Sequence, residues 1–257
     1  MKVLSWNVQG LGGPQCKRMR GRLRLELHKA VIGTPIDILF IQEHHLCKRR
    51  IDKYGSILPG QLTSFWSPSI GRQGAEAGVC LSVAEKWNTC VVCYEEVIPG
   101  GAQYVILHIK DESIGFLNIY APNGNSERKT FWDQLITLLP PIENWCVGGD
   151  FNMLERISDR TGGSRITVHG KELASWECFC FHFHLMDAWI INSFVRTEQS
   201  LKYSRSDRRN NGVNLSRLDI FYVSKYLQIL GGFIEIVART SFSDHAPVSV
   251  NIFQERR

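Results

Sequence analysis

The feature that most limits what this chain can fold into is a series of short apolar runs, rich in β-branched residues, spread along its whole length. They are Val3–Trp6, Ile36–Ile41, Thr63–Trp66, Val79–Val83, Tyr104–Ile109, Ile114–Tyr120, Trp145–Val147, Leu218–Val223, Phe233–Val237 and Val248–Phe253. Each has the length of a strand, and the near-absence of polar alternation suits strands buried on both faces. Helical periodicity is found in Arg18–Ala30, Glu127–Leu139 and Lys171–Phe183, with Asn125-Ser126 as an N-cap for the second. More strand than helix, in mixed order, predicts two packed sheets flanked by helices. No repeat, low-complexity tract or Pro/Ser linker divides the 257 residues, so residues 1–257 are read as a single domain.

Several of these runs end in a polar residue. Val3–Trp6 leads into Asn7, Ile36–Gln42 into Glu43, and Ile114–Ile119 into Tyr120. Trp145–Val147 passes through Gly148-Gly149 to Asp150 and Asn152, and alternate strand residues share a face. Singly, each has an ordinary account, since Asx side chains cap their own turns and Glu43 can be solvated. Asp219 is harder to dismiss. It lies within the apolar stretch "SRLDIFYVS", where a carboxylate must find a partner or lose its charge. Ser243, Asp244 and His245 stand together just before the last run. If the sheets gather these ends, hard oxygen donors predominate, a set suited to Mg²⁺ or Mn²⁺ rather than zinc.

The formal charge of +5 and pI of about 8.8 favour anionic partners mildly. No apolar run reaches the ~18 residues of a membrane span, and "MKVLSWNV" lacks the pattern of a signal peptide. The cysteines mostly sit in apolar runs, as small buried hydrophobes in a reducing compartment do. Cys90 and Cys93 have redox or zinc spacing, but the valines between them favour a strand. Cys178 and Cys180 are read as core residues of a helix.

The stretches "LSWNVQGL", "IQEHHL", "NIYAPN", "GGDFN", "SRLDIFYVS" and "SDHAPV" resemble, in order, the motifs of the endonuclease/exonuclease/phosphatase superfamily, over Val3 to about Phe253. The resemblance implies a DNase I-like four-layer α/β sandwich, two mixed sheets face to face with helices outside. It implies that Glu43 binds a Mg²⁺ that Mn²⁺ can replace, with Asn7 and Asp244 near it. Asp150 would orient or deprotonate the attacking water and Asn152 help hold the phosphate. Tyr120 would donate toward a phosphate oxygen, and His245, paired with Asp219, would face the scissile phosphate with Ser243 packed beside.

Two departures narrow the subfamily. Gln9 stands where abasic-site endonucleases carry an acid, and Ser216 where they carry an aromatic before "RLD" that clamps a flipped sugar. "KYSRSDRR" also lacks their aromatic pair. The "YS…SRLD" arrangement is more similar to the endonuclease domains of non-LTR (LINE-type) retrotransposons, and the opening "LSWNVQGLGGPQCKRMR" is similar to LINE-type reading frames of plants. This implies nicking of double-stranded DNA to leave a 3′-hydroxyl primer. The implied setting is a nuclear monomeric domain, with a reverse transcriptase in the same polyprotein and no membrane. Ser204, Arg205, Arg208, Arg209, Ser216, Arg217 and Ser243 would contact DNA, most of them from a polar loop over Ser204–Ser216 whose arginines suit a narrow minor groove. Lys17, Arg18, Arg20, Arg22 and Arg24, and Lys48-Arg49-Arg50, are further basic clusters that fit a DNA surface, though for any one cluster a solvated face is the commoner explanation. The competing readings are a phosphodiesterase or phosphatase of this fold, an abasic-site endonuclease, and a non-catalytic nucleic-acid-binding domain.

Overall fold

The computed structural model describes residues 1–11, 36–54, 58, 61–70, 76–162, 170–192, 203–209, 212–225, 227, 233–236 and 243–252. The expected helix Arg18–Ala30 and its basic cluster lie outside these residues.

Two six-stranded sheets form the centre. The first has the order β14 (Phe233–Ile236), β15 (Val248–Asn251), β1 (Lys2–Asn7), β2 (Ile38–Gln42), β4 (Val79–Ala84), β3 (Leu62–Ser67). The second runs β10 (Leu185–Asp187), β13 (Asp219–Ser224), β8 (Asn144–Asp150), β7 (Glu112–Tyr120), β6 (Ala102–Ile109), β5 (Val91–Ile98). Both are mixed: β1 is parallel to β2 and β7 to β8, and the other pairs are antiparallel.

Strand alternation builds three apolar layers. In β2, Ile38 and Phe40 face the second sheet, and they pack with Val105, Phe116, Cys146 and Phe221. Leu39 and Ile41 of the same strand face outward and pack with Leu4, Trp6 and Leu46, with Ile51 of the short helix α1 (Lys48–Tyr54) against them. On the far side of the second sheet, Trp145, Val147 and Tyr222 pack beneath α2 (Asn125–Leu138) and α3 (Gly170–His182) through Phe131, Trp132, Trp176 and Phe179. Helix, sheet, sheet and helix make the four-layer sandwich that the sequence predicts. Helix α4 (Ala188–Asn192) follows β10.

Some local expectations are corrected. The stretch Ser204–Ser216 is not a loop. It forms a hairpin of β11 (Arg205–Arg209) and β12 (Gly212–Ser216), extended by β9 (Arg160–Thr161) into a small third sheet. Its polar sequence hides the strands because neither face enters the main core. Helix α2 begins at Asn125 with Gly124 at the N-cap, and Asn125 Oδ1 accepts from Arg128 instead of capping. Cys178 is exposed and Cys180 half-buried, so neither is a full core residue, while the Cys90–Cys93 valines do begin strand β5.

Strand β8 holds one position only glycine can occupy. Gly149 has φ of +145°, and a Cβ there would lie 1.9 Å from the Ile119 carbonyl oxygen on the neighbouring strand. The glycines of "GGD" therefore serve close strand packing just before the site.

His44 is fully buried and hydrogen-bonded on both ring nitrogens. Nε2 lies 2.9 Å from the Ser67 carbonyl oxygen and 3.3 Å from that of Val79, and Nδ1 accepts from the Leu46 amide at 3.0 Å. Burial pushes its pKa down to about 4, against the pull of the two carbonyls. The unfolded chain therefore binds this proton more readily. The stability held by neutral His44 is complete above about pH 6.5 and is lost as pH falls toward 4, a change on the order of 3 kcal/mol. His44→Gln keeps a donor for the carbonyls without titrating. Urea unfolding between pH 7 and 4.5 is expected to show a shallower loss for the variant than for the wild type, and parallel curves would remove His44 from the acid response.

Candidate active site

Register alone gathers the polar strand ends. Asn7 ends β1 beside Gln42 of the parallel β2, so Glu43 follows directly next to it. In the other sheet Tyr120 ends β7 beside Asp150, which ends the parallel β8. Strand β13 runs the opposite way and starts at Asp219, directly across from Asp150. The segment entering β15 brings His245 to the same end, antiparallel to β1.

The side chains then meet. Asn7 Nδ2 donates to Glu43 Oε1 at 2.9 Å and to Asp150 Oδ2 at 2.8 Å, so one buried amide joins carboxylates from the two sheets. His245 lies between the aspartates, with Nδ1 2.7 Å from Asp219 Oδ2 and Nε2 3.9 Å from Asp150 Oδ2. Asn7, Asp150, Asp219 and His245 are all buried. Ser243 Oγ donates to the Asn7 carbonyl and accepts from the His245 amide, which fixes the loop carrying the histidine.

Electrostatics follow from this packing. Burial works against a charge on His245, but Asp219, then Asp150 and Asp244, outweigh it and hold the imidazole's pKa up at about 9. Burial and the charge of Asp219 raise Asp150 above the usual carboxylate range, to about 6, although His245 opposes them. Glu43 behaves in the opposite way: burial disfavours its charge, yet the neighbouring His45 imidazole and hydrogen bonds from Asn7 and Tyr120 bring it down to about 2. Burial and the neighbouring Glu43 and Asp150 charges raise the Tyr120 hydroxyl, so it stays a donor.

Asp150, Asp219 and His245 each offer a ligand atom within 4.8 Å of the others. There a cationic imidazole already balances the aspartates. The Glu43–Asp150 pair is bridged only by a neutral amide, and it is this surplus of oxygen charge that a hard divalent cation fits.

The remaining expected residues fall into place differently. Strand β8 stops at Asp150, and Asn152 sits beyond it at φ of +47°, so the two do not share a face by strand alternation. The Asn152 amide instead donates to Asp150 Oδ1 at 2.9 Å and its Nδ2 to the Ala121 carbonyl at 2.8 Å, which is the Asx-turn account of that segment. Asp244 is held by Arg205, with Nε at 3.1 Å from Oδ2, and lies 3.4 Å from His245 Nε2, so it is drawn to the histidine side and not to Glu43. Ser204 is buried, its Oγ accepting from the amides of Leu218 and Asp219; it anchors the aspartate instead of facing a partner. Ser216 is half-buried in β12, opposite Arg205. The side chains of Arg208 and Arg209 lie outside the described residues.

Arg217 is corrected outright. Expected at a DNA surface, it is buried, with Nε 3.0 Å from Asp159 Oδ1 and Nη2 2.7 Å from Asp187 Oδ2. Burial would weaken its proton, but Asp187 and Asp159 more than compensate and raise it. Sequence reasoning also missed Gln9, whose Oε1 accepts from the Asp244 amide at 3.3 Å, and His45 beside Glu43. Both lie inside quoted motifs, "LSWNVQGL" and "IQEHHL", but were given no part in the site there.

Solved structures of the same architecture include an AP endonuclease from Leishmania major, 18% identical, with a TM-score of 0.77 over 97% of this chain and 86% of that one. The APE2 catalytic domain of Xenopus laevis is 19% identical, with a TM-score of 0.73 over 98% of this chain and 91% of the other. A 3′ phosphatase from Neisseria, solved with a product DNA hairpin, is 17% identical with a TM-score of 0.68 over 98% of both chains. The chain has their fold. It is the DNase I-like sandwich that the resemblance to the endonuclease/exonuclease/phosphatase superfamily implies. In sequence, the transposon TX1 uncharacterized 149 kDa protein of Xenopus laevis is 24% identical over 178 residues, which is 68% of this chain. The match spans 13% of that protein's length. No family model matches the chain. Among the described residues, no helix is long and apolar enough to cross a membrane.

The two ion pairs of Arg217 predict a large cost for breaking them. Arg217→Met would leave the buried carboxylates of Asp159 and Asp187 without their cation and is expected to cost roughly 3–5 kcal/mol in urea unfolding. A loss under ~1 kcal/mol would show that these carboxylates do not depend on it.

Proposed function

We propose that this chain is a divalent-cation-dependent endonuclease that nicks duplex DNA and leaves a 3′-hydroxyl. The observation that carries this reading is the Asn7 amide joining Glu43 of one sheet to Asp150 of the other, with the His245–Asp219 pair facing them. Glu43, with Asn7 beside it, would hold the cation. When bound, the cation would draw charge from the phosphoryl and leaving oxygens. Asp150, raised by burial and by Asp219, accepts the proton of the attacking water. The water oxygen bonds to phosphorus, the bond from phosphorus to the 3′ oxygen breaks, and that oxygen takes a proton from solvent. His245, held cationic and oriented through Nδ1 by Asp219, presents Nε2 to the phosphoryl oxygen where negative charge grows. Tyr120, kept protonated, donates to the same group. Asn152 fixes Asp150 through its backbone amide and steadies the phosphate side of the site.

The setting we propose is target-primed reverse transcription by a retrotransposon, acting in the nucleus, with a reverse transcriptase in the same polypeptide. The match to one part of a much longer transposon protein supports it. Arg205 and the hairpin strands beside the site supply the groove contacts. An abasic-site or 3′-phosphatase specificity is the second reading, since solved neighbours are described as an AP endonuclease and a 3′ phosphatase. Against it, Ser216 and Arg205 provide no apolar clamp for a bare sugar.

Supercoiled plasmid should be nicked in Mg²⁺ or Mn²⁺ and spared in EDTA. Asp150→Ala and His245→Ala should each lower the rate on the order of 10²–10⁴ while circular dichroism stays unchanged. Full nicking in EDTA, or by either folded variant, would overturn the mechanism.

One duplex with and without a single abasic analogue should be cut at similar rates. A preference of several hundredfold for the lesion would instead support the repair reading.

A further inference from the structure

The two histidines that follow Glu43 have separate surroundings. His44 points into the core and is satisfied there. His45 turns the other way and is partly exposed, with Nε2 3.5 Å from Glu43 Oε2. That spacing is long for a hydrogen bond but suits neighbouring ligands of one cation, whose donor atoms stand roughly 3 Å apart.

The backbone is shaped to put the ring there. Glu43 and His45 both take positive φ, 52° and 54°, a conformation that residues with a side chain seldom adopt. The facing turn is tied to this one: the Gly10 amide donates to the Glu43 carbonyl and the Leu11 amide to that of His44. Gly10, at φ of +97°, leaves room for the imidazole, because a Cβ there would lie 2.9 Å from His45 Nδ1. Two uncommon conformations and one obligatory glycine thus converge on one ring beside the carboxylate assigned to the cation.

We infer that His45 is a nitrogen ligand at the Glu43 cation site and biases that site toward Mn²⁺ over Mg²⁺. The inference rests on the reading that Glu43 holds the cation. Both ions take oxygen donors, but Mn²⁺, a first-row transition ion, accepts an imidazole nitrogen in its shell more readily than Mg²⁺, which keeps to carboxylates and water. Glu43 supplies the charge, and its other oxygen remains with Asn7.

The test is Mn²⁺ binding to the purified protein, followed by electron paramagnetic resonance, with electron spin-echo modulation to detect a directly bound nitrogen. Wild type should bind Mn²⁺ and show nitrogen modulation. His45→Ala and His45→Gln should both lose the modulation and weaken Mn²⁺ roughly tenfold, while Mg²⁺ affinity measured by competition changes less than about threefold. His108→Ala, at an exposed position on β6, should match wild type. If Mn²⁺ binds and Glu43→Gln weakens it, but nitrogen modulation is absent or both His45 variants bind Mn²⁺ as wild type does, this inference fails and the cation reading stands. If Glu43→Gln does not alter Mn²⁺ binding, the cation reading fails with it.

Discussion

The site depends on two sheets being held in one register, and a buried amide does much of that holding. Asn118, on β7, sends Nδ2 across the interior to the carbonyls of Ile41 at 3.2 Å and Cys80 at 2.9 Å in the opposite sheet. Its Oδ1 accepts from Gln42 Nε2 at 2.7 Å, and Gln42 also reaches Ser5. The apolar contacts around them are non-directional and would tolerate a small slide of one sheet over the other. Hydrogen bonds in a buried network would not, because a displaced donor is left unsatisfied at a cost of about 1–3 kcal/mol. Asn118 stands two residues before Tyr120, and Gln42 one before Glu43. The cross-sheet clasp therefore sets the distance over which Asn7 can touch both Glu43 and Asp150.

Helix α2 braces the same end from outside. Arg128, buried, donates to the carbonyls of Pro122 at 2.8 Å and Asn123 at 2.7 Å, and pairs with Glu172 of α3. The turn after Tyr120 is thereby fixed to both outer helices. What these supports present is a concentration of like charge. Asp150 and Asp219 lie directly opposite on adjacent strands, an arrangement that repels unless something intervenes. His245 intervenes for that pair, and Glu43 is left with neutral donors and His45. Folding and the proposed catalysis would draw here on one charge arrangement.

Much of this was legible in the sequence. Two-faced burial leaves short apolar runs, and those runs marked the main sheets without reference to any relative, except for the edge strands β5, seen only through the valines between Cys90 and Cys93, and β10, which was missed. Polar residues closing them marked Asn7, Glu43, Tyr120 and Asp150, and the carboxylate inside an apolar strand marked Asp219. The hairpin was not legible, since both β11 and β12 are polar and pair with each other instead of covering a core. Arg217 was misread for a related reason: it was grouped with Arg205, Arg208 and Arg209 of the preceding stretch, and only the fold brings Asp159 and Asp187, distant in sequence, around it. The roles of His44 and His45 could not be separated either. Adjacent residues with positive φ nearby do not follow strand alternation, so their opposite directions are set by the turn and by Gly10.

The anchoring of Arg217 has a further consequence for how such a domain can change. Strand β12 leads through Arg217 to Asp219, and Arg217 is bolted to the segment before β9 and to β10, while Ser204 Oγ holds the amides of Leu218 and Asp219 at the other root of the hairpin. The base of the hairpin is thus part of the framework that holds Asp219, and its outer rungs, such as Arg208 opposite Val213, are several residues removed from it. Substitutions accumulating on those outer rungs leave Asp219 and His245 undisturbed. The architecture separates an outer polar surface, open to substitution, from the buried cluster of Asp150, Asp219 and His245, so the two can change independently.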